Sequence, residues 1–216
     1  MFAKRHICRV TLRDLIRKFA MEKKNRKKIG FDLDDVLLNF NDALFPYHNE
    51  RFGTNYDRTQ IRTFDLGSVW QCSRDEVEKR ILDFCRSTEH HEAEPVSGAL
   101  EVINRLKDHH DLFVITARPE ELRAETLSWL NRHFPDVFAE VHFTNHFYGS
   151  GNRRAKGDVC REIAVESFIE DSLHNAADVA SLGIPVLLFD APWNQEEVAP
   201  PIKRIYSWEE VEEHIR

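Results

Sequence analysis

The sequence lacks the features that define several large classes of protein. No apolar run comes near the roughly 18 residues that a membrane-spanning helix needs, and the longest, such as 185–189, have the length of a strand. Glycine and proline number only eight each in 216 residues, and no repeat or low-complexity tract occurs, which excludes collagenous, solenoid and linker-rich chains. With 42% apolar residues to build a core, we expect one compact, soluble unit.

Cysteine is equally sparse. The chain has four cysteines, far apart and without a C-x-x-C pair, namely Cys8, Cys72, Cys85 and Cys160. This pattern argues against a zinc ribbon, a thioredoxin-like site and a dense disulfide framework, and it fits a reducing compartment. The eleven histidines show no strong zinc-ligand spacing with these cysteines, so we expect them at the surface or in satisfied core positions.

Positive charge is scarce outside one segment. The formal net charge is −7, but residues 1–28 hold eleven of the thirty Lys and Arg residues and only two acids, so this segment carries +9 and the remainder −16. An acidic body argues against binding to a nucleic-acid polymer. For the basic extension, residues 1–27, three alternatives stay open: a solvated extension, an organelle presequence, and a docking helix over 11–21. We predict a cytoplasmic protein, or a mitochondrial one if 1–27 is a presequence.

Short apolar runs alternate with helical patterns after the basic extension. Five runs are predicted as buried strands: 28–33, 112–116, 140–144, 167–170 and 185–189. Helical spacing separates them in four segments: 98–107, 119–133, 156–164 and 172–182. Pro119 suits a first helical position. This alternation predicts a doubly wound α/β fold, a parallel sheet with helices on both faces.

One gap interrupts this alternation. About 55 residues separate the first strand from the next helix of the series, far more than a crossover needs. Helical spacing at 41–52 and 73–87, with Ser73 and Glu76 placed as a capping box, predicts a small helical cap. Its aromatic residues are expected mostly in its own core: Phe45, Tyr47, Phe52, Tyr56, Phe64 and Trp70. The predicted division has three parts: the extension 1–27, a core of 28–38 and 95–216, and a cap of 39–94.

Acidic residues follow the first predicted strand. The strand runs into Asp32-Leu33-Asp34-Asp35, and alternation along an extended chain places Asp32 and Asp34 on the same side. They stand at the carboxyl end of a buried parallel strand, which is where doubly wound sheets bind ligands. Carboxylates held close together need a cation or a shared proton, so the pattern favours a metal site or acid–base chemistry over a solvated acidic loop.

Other segments predicted at this edge carry complementary groups. Thr116 ends the second strand, Lys156 begins a helix, and Glu170-Asp171 follow the fourth strand. A hydroxyl, an ammonium group and an acid pair around a carboxylate suit phosphoryl transfer, because that reaction depends on positioning and charge neutralisation. Taken alone, Lys156 could also be a surface lysine in a basic run.

The order of these groups resembles the four motifs of the haloacid dehalogenase (HAD) superfamily of phosphohydrolases. The likeness covers residues 28–190 and rests on Phe31-Asp32-Leu33-Asp34-Asp35-Val36-Leu37, Val114-Ile115-Thr116, Lys156, and Phe168-Ile169-Glu170-Asp171-Ser172. It implies a HAD-like core, and 39–94 stands where the helical-cap branch carries the cap that encloses the substrate. The first motif looks most like that of the 5′(3′)-deoxyribonucleotidases, which commonly have Gly where Asp35 stands.

The resemblance implies a role for each motif residue. Asp32 would be the nucleophile that forms an aspartyl-phosphate, and Asp34 the general acid and then the base. Thr116 and Lys156 would hold the transferring phosphoryl group.

The implied cofactor is Mg²⁺. Asp171 and Asp32 would bind it directly together with the main-chain carbonyl of Asp34, while Glu170 would lie nearby or act through water. By this resemblance the protein is a Mg²⁺-dependent phosphomonoester hydrolase.

The expected substrate is a small phosphate ester, with a nucleoside monophosphate favoured by the first motif. A general sugar-phosphate phosphatase, a phosphomutase and a non-catalytic binding protein remain alternatives. Arg118 is either a substrate contact or a solvated helix residue, with solvation favoured. The segment Pro192-Trp193-Asn194 and a helix at 207–216 are expected to serve packing and to form solvated termini. The oligomeric state stays open.

Overall fold

A six-stranded parallel sheet forms the centre of the molecule. The computed structural model describes residues 26–63, 65–146 and 152–215, so the predictions for the basic extension lie almost wholly outside the described ranges. The strands follow the spatial order β3-β2-β1-β4-β5-β6, and every neighbouring pair is parallel. Their bounds are β1 (Lys28–Phe31), β2 (Asp111–Thr116), β3 (Phe138–Phe143), β4 (Ser167–Glu170), β5 (Val186–Phe189) and β6 (Ile202–Ile205).

The predicted doubly wound α/β fold is confirmed, and the five predicted strands are present with ends shifted by two residues or fewer. The sixth strand, β6, was not predicted. Its sequence Ile-Lys-Arg-Ile has only two apolar residues and directly follows Pro200-Pro201. Since β6 pairs with β5 alone, at the edge of the sheet, it needs less apolar surface than a central strand. Its sequence therefore gives a weaker apolar pattern from which to predict a strand.

Helices connect the strands and cover the sheet. Their bounds are α1 (Phe40–Phe52), α2 (Leu66–Trp70), α3 (Arg74–Cys85), α4 (Thr88–His91), α5 (Ala99–Leu106), α6 (Arg123–His133), α7 (Lys156–Ile163), α8 (Leu173–Ala180) and α9 (Trp208–Ile215). The helix expected from Pro119 begins at Arg123 instead, because Glu120–Leu122 form a 3₁₀ turn and the backbone of Leu122 leaves helical geometry. Within the described ranges, no helix is long and apolar enough to cross a membrane.

Alternate residues of each strand pack on opposite faces of the sheet. On β4, Phe168 packs with α7 and α8, whereas Ile169 belongs to the cluster that includes α5 and α9. On β1, Phe31 stacks on Trp208 of α9 with the two ring centroids 5.9 Å apart. Trp208 is 1% exposed, so the packing role expected for the C-terminal helix is confirmed.

Residues 39–94, here called the helical insert, contain α1 to α4 and a 3₁₀ turn at Arg58–Gln60. Ser73 begins α3 as predicted, because its hydroxyl accepts a hydrogen bond from the Glu76 N–H at 3.3 Å. The carboxylate of Glu76 pairs with Arg80 at 2.8 Å instead of completing the predicted capping box.

Most aromatic side chains of the insert are buried, in agreement with the prediction. Phe45 is 2% and Trp70 is 7% exposed, whereas Phe52 is 41% exposed, and Phe64 lies outside the described residues. One continuous apolar cluster joins the buried residues of the insert to those of β1 and α5. The insert and the sheet therefore share a hydrophobic core.

A glycine allows β1 and β4 to pack beside α7. A Cβ atom at Gly30 would lie 2.7 Å from Phe168 Cδ2 and 3.4 Å from Ile115 Cδ1. We expect Gly30→Ala to lower the free energy of unfolding by about 1–3 kcal/mol, because Phe168 is fully buried and has little room to move. Urea unfolding measures this loss.

The double variant Gly30→Ala/Phe168→Leu is the control for steric overlap. It should be less destabilised than the sum of its two single variants, because the smaller side chain makes room for the added methyl group. Exact additivity of the two single changes would contradict the overlap.

Candidate active site

The carboxyl ends of β1 and β4 meet where the strand order reverses. From β1 the chain proceeds to β2 and β3 on one side, while β4 to β6 lie on its other side, and such a reversal point leaves a crevice for ligands. Asp32 directly follows β1, and its N–H donates to the Ile169 carbonyl at 2.9 Å. This bond keeps Asp32 aligned with β4, beside Glu170 and Asp171.

A buried lysine links the acids of the two strands. Lys156 is 1% exposed, and its Nζ lies 2.7 Å from Asp32 Oδ1 and 2.8 Å from Glu170 Oε2. It is the first residue of α7, and its ammonium group lies 5.7 Å from the centre of the Phe168 ring. The alternative of a surface lysine is therefore wrong, because two carboxylates supply the charge that compensates its burial.

The charges in this cluster perturb one another. Burial and, next, the carboxylate of Glu170 raise the pKa of Asp32 to about 7, although Lys156 opposes the change. Burial, Glu170 and Asp32 raise the pKa of Asp171 well above its usual range. Burial lowers the pKa of Lys156, but Asp32 and Glu170 outweigh that effect, and the net shift is upward. Three acids share one ammonium group, so a further cation would lower the energy of the site.

Glu170 is the innermost of the three acids. Its side chain is fully buried, Lys156 binds Oε2, and the Ser172 N–H donates to Oε1 at 2.9 Å. Ser172 also begins α8, so the same short turn caps the helix and fixes the carboxylate. Glu170 is thereby oriented toward Lys156.

Asp171 is held by the loop that follows β5. Trp193 donates from Nε1 to Asp171 Oδ2 at 2.9 Å, and Asn194 donates from Nδ2 to the Asp171 carbonyl at 2.6 Å. Trp193 and Asn194 therefore do more than the packing expected from the sequence, because both hold Asp171. Their position in the sequence could have indicated a role in the site, because both residues follow a parallel strand at the same carboxyl edge as the other site residues.

Asp34 pairs with Arg118. The guanidinium binds both carboxylate oxygens, with Nη2 at 2.7 Å from Oδ1 and Nε at 3.0 Å from Oδ2. Arg118 is only 4% exposed, so the favoured prediction of a solvated arginine is wrong: Asp34 supplies the compensating charge that allows its burial. Burial raises the pKa of Asp34, and Arg118 opposes this rise without cancelling it.

Thr116 and Asp35 lie at the same edge. Thr116 is fully buried, and its Oγ1 accepts a hydrogen bond from the Arg118 N–H at 3.2 Å. Asp35 has a φ of 56°, in the left-handed region that glycine favours and aspartate tolerates, which explains how it occupies a position that is commonly Gly. The side-chain amide of Asn41 donates a hydrogen bond of 2.6 Å to the carboxylate of Asp35.

A cavity of about 340 Å³ borders these carboxylates. Asp32, Asp34 and Asp171 form its acidic part, and the insert supplies an apolar part made of Phe40, Ile61, Leu66, Ile81, Leu82 and Cys85. The aromatic residues that line it are Phe40 and Trp193, whereas the described members of the aromatic set predicted for the cap pack elsewhere. The cavity thus joins a charged end to an apolar one.

The acid cluster fits a divalent cation. Carboxylate oxygens of Asp32, Glu170 and Asp171 lie within 4.8 Å of one another, and all three residues are buried. Hard oxygen ligands with surplus negative charge suit Mg²⁺. Because Lys156 and the Ser172 N–H occupy both oxygens of Glu170, Asp32 and Asp171 are better placed for direct contact.

The chain is similar to nucleotidases over most of its length. The sequence pattern of the family described as 5′ nucleotidase, deoxy (pyrimidine), cytosolic type C matches residues 26–216. A protein of Halalkalibacterium halodurans with a provisional nucleotidase name is 27% identical over 192 residues, which cover 88% of this chain and 93% of that protein. A nucleotidase of Clostridium acetobutylicum is 29% identical over 110 residues, which cover 51% of this chain and 53% of that protein.

A solved structure has the same fold. The haloacid dehalogenase-like hydrolase of Streptococcus pneumoniae superposes with a TM-score of 0.66 at 15% sequence identity, covering 89% of this chain and 100% of that one. The family pattern extends from residue 26 to residue 216 and therefore includes every residue of the acid cluster. The chain therefore belongs to the 5′ nucleotidase, deoxy (pyrimidine), cytosolic type C family, it has the fold of a haloacid dehalogenase-like hydrolase, and it is a phosphatase of the nucleotidase type.

Proposed function

We propose that this protein hydrolyses a nucleoside monophosphate, or a similar small phosphate monoester, through an aspartyl-phosphate on Asp32. The observation that carries the proposal is the buried cluster of Asp32, Lys156, Glu170 and Asp171 at the end of a cavity that is otherwise largely apolar. The charged end suits a phosphoryl group, and the apolar part suits the faces of a base and sugar.

Asp32 supplies the nucleophile in the first step. Its carboxylate oxygen attacks phosphorus, the bond from phosphorus to the leaving oxygen breaks, and the carboxyl group of Asp34 donates its proton to that oxygen. Lys156, at 2.7 Å from Asp32, offsets the repulsion between the incoming phosphoryl group and the carboxylate. We assign the hydroxyl of Thr116 to a phosphoryl oxygen.

Asp34 acts again in the second step. As a carboxylate it takes a proton from a water molecule, whose oxygen attacks phosphorus and displaces Asp32. Inorganic phosphate leaves, Asp32 is again a carboxylate, and Asp34 is again protonated. The raised pKa of Asp34, caused mainly by burial, supports both proton transfers.

We assign the acid cluster to Mg²⁺. Asp32, Asp171 and the main-chain carbonyl of Asp34 would hold the ion, with Glu170 nearby or acting through water. The bound ion would neutralise the carboxylates and draw negative charge from the phosphoryl group. Trp193 prepares this site by binding Asp171 Oδ2, and we assign the other oxygen of Asp171 to the ion.

We assign the helical insert the role of a cap. Phe40 of α1 and Ile81, Leu82 and Cys85 of α3 line the cavity that the acids border. A substrate in this cavity would be covered by apolar side chains, which exclude bulk water from the reacting group.

Asp32→Asn tests the nucleophile. We expect kcat to fall by about 10⁴-fold or more, because an amide does not attack phosphorus, while the melting temperature stays at or above the wild-type value. Phosphate release and thermal unfolding measure the two effects. Asp158→Asn, at an exposed position of α7, is the matched control and should keep the wild-type rate. A normal rate in the Asp32 variant would contradict the assignment.

A substrate panel separates the proposed function from its alternatives. We expect a higher kcat/KM for nucleoside monophosphates than for sugar phosphates, because the apolar side chains of the insert suit the faces of a base better than the hydroxyl groups of a sugar. Phosphate release is the readout. A preference for sugar phosphates indicates a general phosphatase, an isomerised product without free phosphate indicates a phosphomutase, and no turnover indicates a binding protein.

Metal binding should depend on pH. Burial raises the pKa of Asp32 from its ordinary value of 3.8 to about 7 in the folded protein, so the metal-free protein loses stability as pH rises from about 4 to about 7. Mg²⁺ should reverse this loss: after treatment with EDTA, adding Mg²⁺ should raise the melting temperature more at pH 8 than at pH 5. At a concentration of 100 times Kd, bound Mg²⁺ should raise the free energy of unfolding by about 2.7 kcal/mol.

The variant Asp171→Asn checks that this stabilisation comes from the acid cluster. It should abolish the effect of Mg²⁺, whereas Asp158→Asn should preserve it. Equal stabilisation of the wild type and Asp171→Asn, or hydrolysis that EDTA leaves unchanged, would refute the assigned metal site.

A further inference from the structure

A buried arginine, Arg118, binds the proposed general acid, Asp34. The side chain of Arg118 is 5% exposed, whereas that of Asp34 is 28% exposed, and both residues border the cavity. The guanidinium binds both oxygens of Asp34 in a fork, at 2.7 and 3.0 Å. Asp34 is thus held by Arg118 while part of its carboxyl group remains open to the cavity.

The guanidinium is itself held by buried partners. Its Nη1 donates to Thr126 Oγ1 at 3.0 Å, and its Nη2 lies 2.9 Å from His90 Nε2. His90 is 1% exposed, and burial together with Arg118 lowers its pKa to about 2, so the ring is neutral and Nε2 accepts the hydrogen bond. The main-chain N–H of Arg118 donates to Thr116 Oγ1 at 3.2 Å.

These contacts favour a role for Arg118 in holding Asp34 over a role in binding phosphate. Each of its three side-chain nitrogens already has a protein partner: Asp34 for Nε, Thr126 for Nη1, and Asp34 with His90 for Nη2. A planar guanidinium held at several points fixes the plane of the carboxyl group that it binds, which a lysine cannot do.

We propose that Arg118 is a positioning residue that fixes the direction in which Asp34 presents its carboxyl group to the leaving oxygen. This inference rests on the proposed role of Asp34 as the general acid. As the bond between phosphorus and the leaving oxygen breaks and the bond to Asp32 forms, the proton of Asp34 passes to the leaving oxygen. A misdirected carboxyl group delivers that proton less well.

The contact with His90 extends this positioning to the helical insert. His90 belongs to α4, the last helix of the insert, and Arg118 follows β2 in the core. The direction of the Asp34 carboxyl group therefore depends on how the end of the insert packs on the sheet.

Leaving-group dependence distinguishes this role from a structural one. An alkoxide leaving group, as in thymidine 5′-monophosphate, needs a proton, whereas 4-nitrophenolate leaves readily without one. We expect Arg118→Lys to lower kcat/KM for thymidine 5′-monophosphate by about 100-fold, within the range for loss of general acid catalysis. The loss for 4-nitrophenyl phosphate should be at least tenfold smaller, and Asp34→Asn should show the same selectivity.

Matched variants keep this test decisive. Arg80→Lys makes the same chemical change in the insert, where Arg80 pairs with Glu76, and should affect both esters equally. Thr126→Val removes one anchor of Arg118 and retains its charge, so it should show a smaller loss with the same preference for the alkyl ester. Thr126→Val carries the test if Arg118→Lys does not fold, as judged by circular dichroism.

The outcomes separate this inference from the proposed function. Equal losses on both esters in the Arg118 and Thr126 variants, with Asp34→Asn still selective, would overturn the positioning role alone. If Asp34→Asn lowers kcat/KM equally for both esters, the acid role of Asp34 fails and the inference fails with it, because kcat/KM reports the first step and not the later hydrolysis of the aspartyl-phosphate. Unchanged activity of Arg118→Lys on both esters would also overturn the inference.

Discussion

The ammonium group of Lys156, lying between Asp32 and Glu170, is the contact on which the site depends. The two acids follow or end neighbouring strands and are buried, so without a cation between them their repulsion would oppose the close approach of the strand ends. Lys156 begins α7, which packs on the same face of the sheet as Phe168. The packing of one helix therefore sets the charge balance of the site, and a change that displaces α7 would affect both stability and chemistry.

The buried charges fall into two groups with different balance. Arg118 and Asp34 form a one-to-one pair, in which the guanidinium compensates the carboxylate whenever Asp34 is ionised. Around Lys156 the acids outnumber the cation, and burial with mutual repulsion raises the pKa values of Asp32 and Asp171. The first arrangement suits a group that must keep one orientation. The second suits a site that gains stability when a divalent cation binds.

The acid cluster can be predicted from the sequence because its position depends only on local pattern and on the geometry of parallel sheets. A run of buried residues followed by Asp32, and another followed by Asp171, places both at one edge once the strands are adjacent. The contact of Trp193 with Asp171 cannot be predicted in this way, because a tryptophan after a strand is equally compatible with packing. The burial of Arg118 cannot be predicted for a similar reason: it depends on a carboxylate partner 84 positions away in the sequence.

By itself the sequence determined the alternation of strands and helices, the insert, and the order of the motif residues, because these follow from short-range periodicity and residue type. Only the tertiary structure decided that Lys156 is buried, that Arg118 holds Asp34, that Trp193 orients Asp171, and that β6 extends the sheet. Each of these depends on contacts between segments distant along the chain. Their energies are set by burial and by the distance between charges, which a linear pattern does not contain.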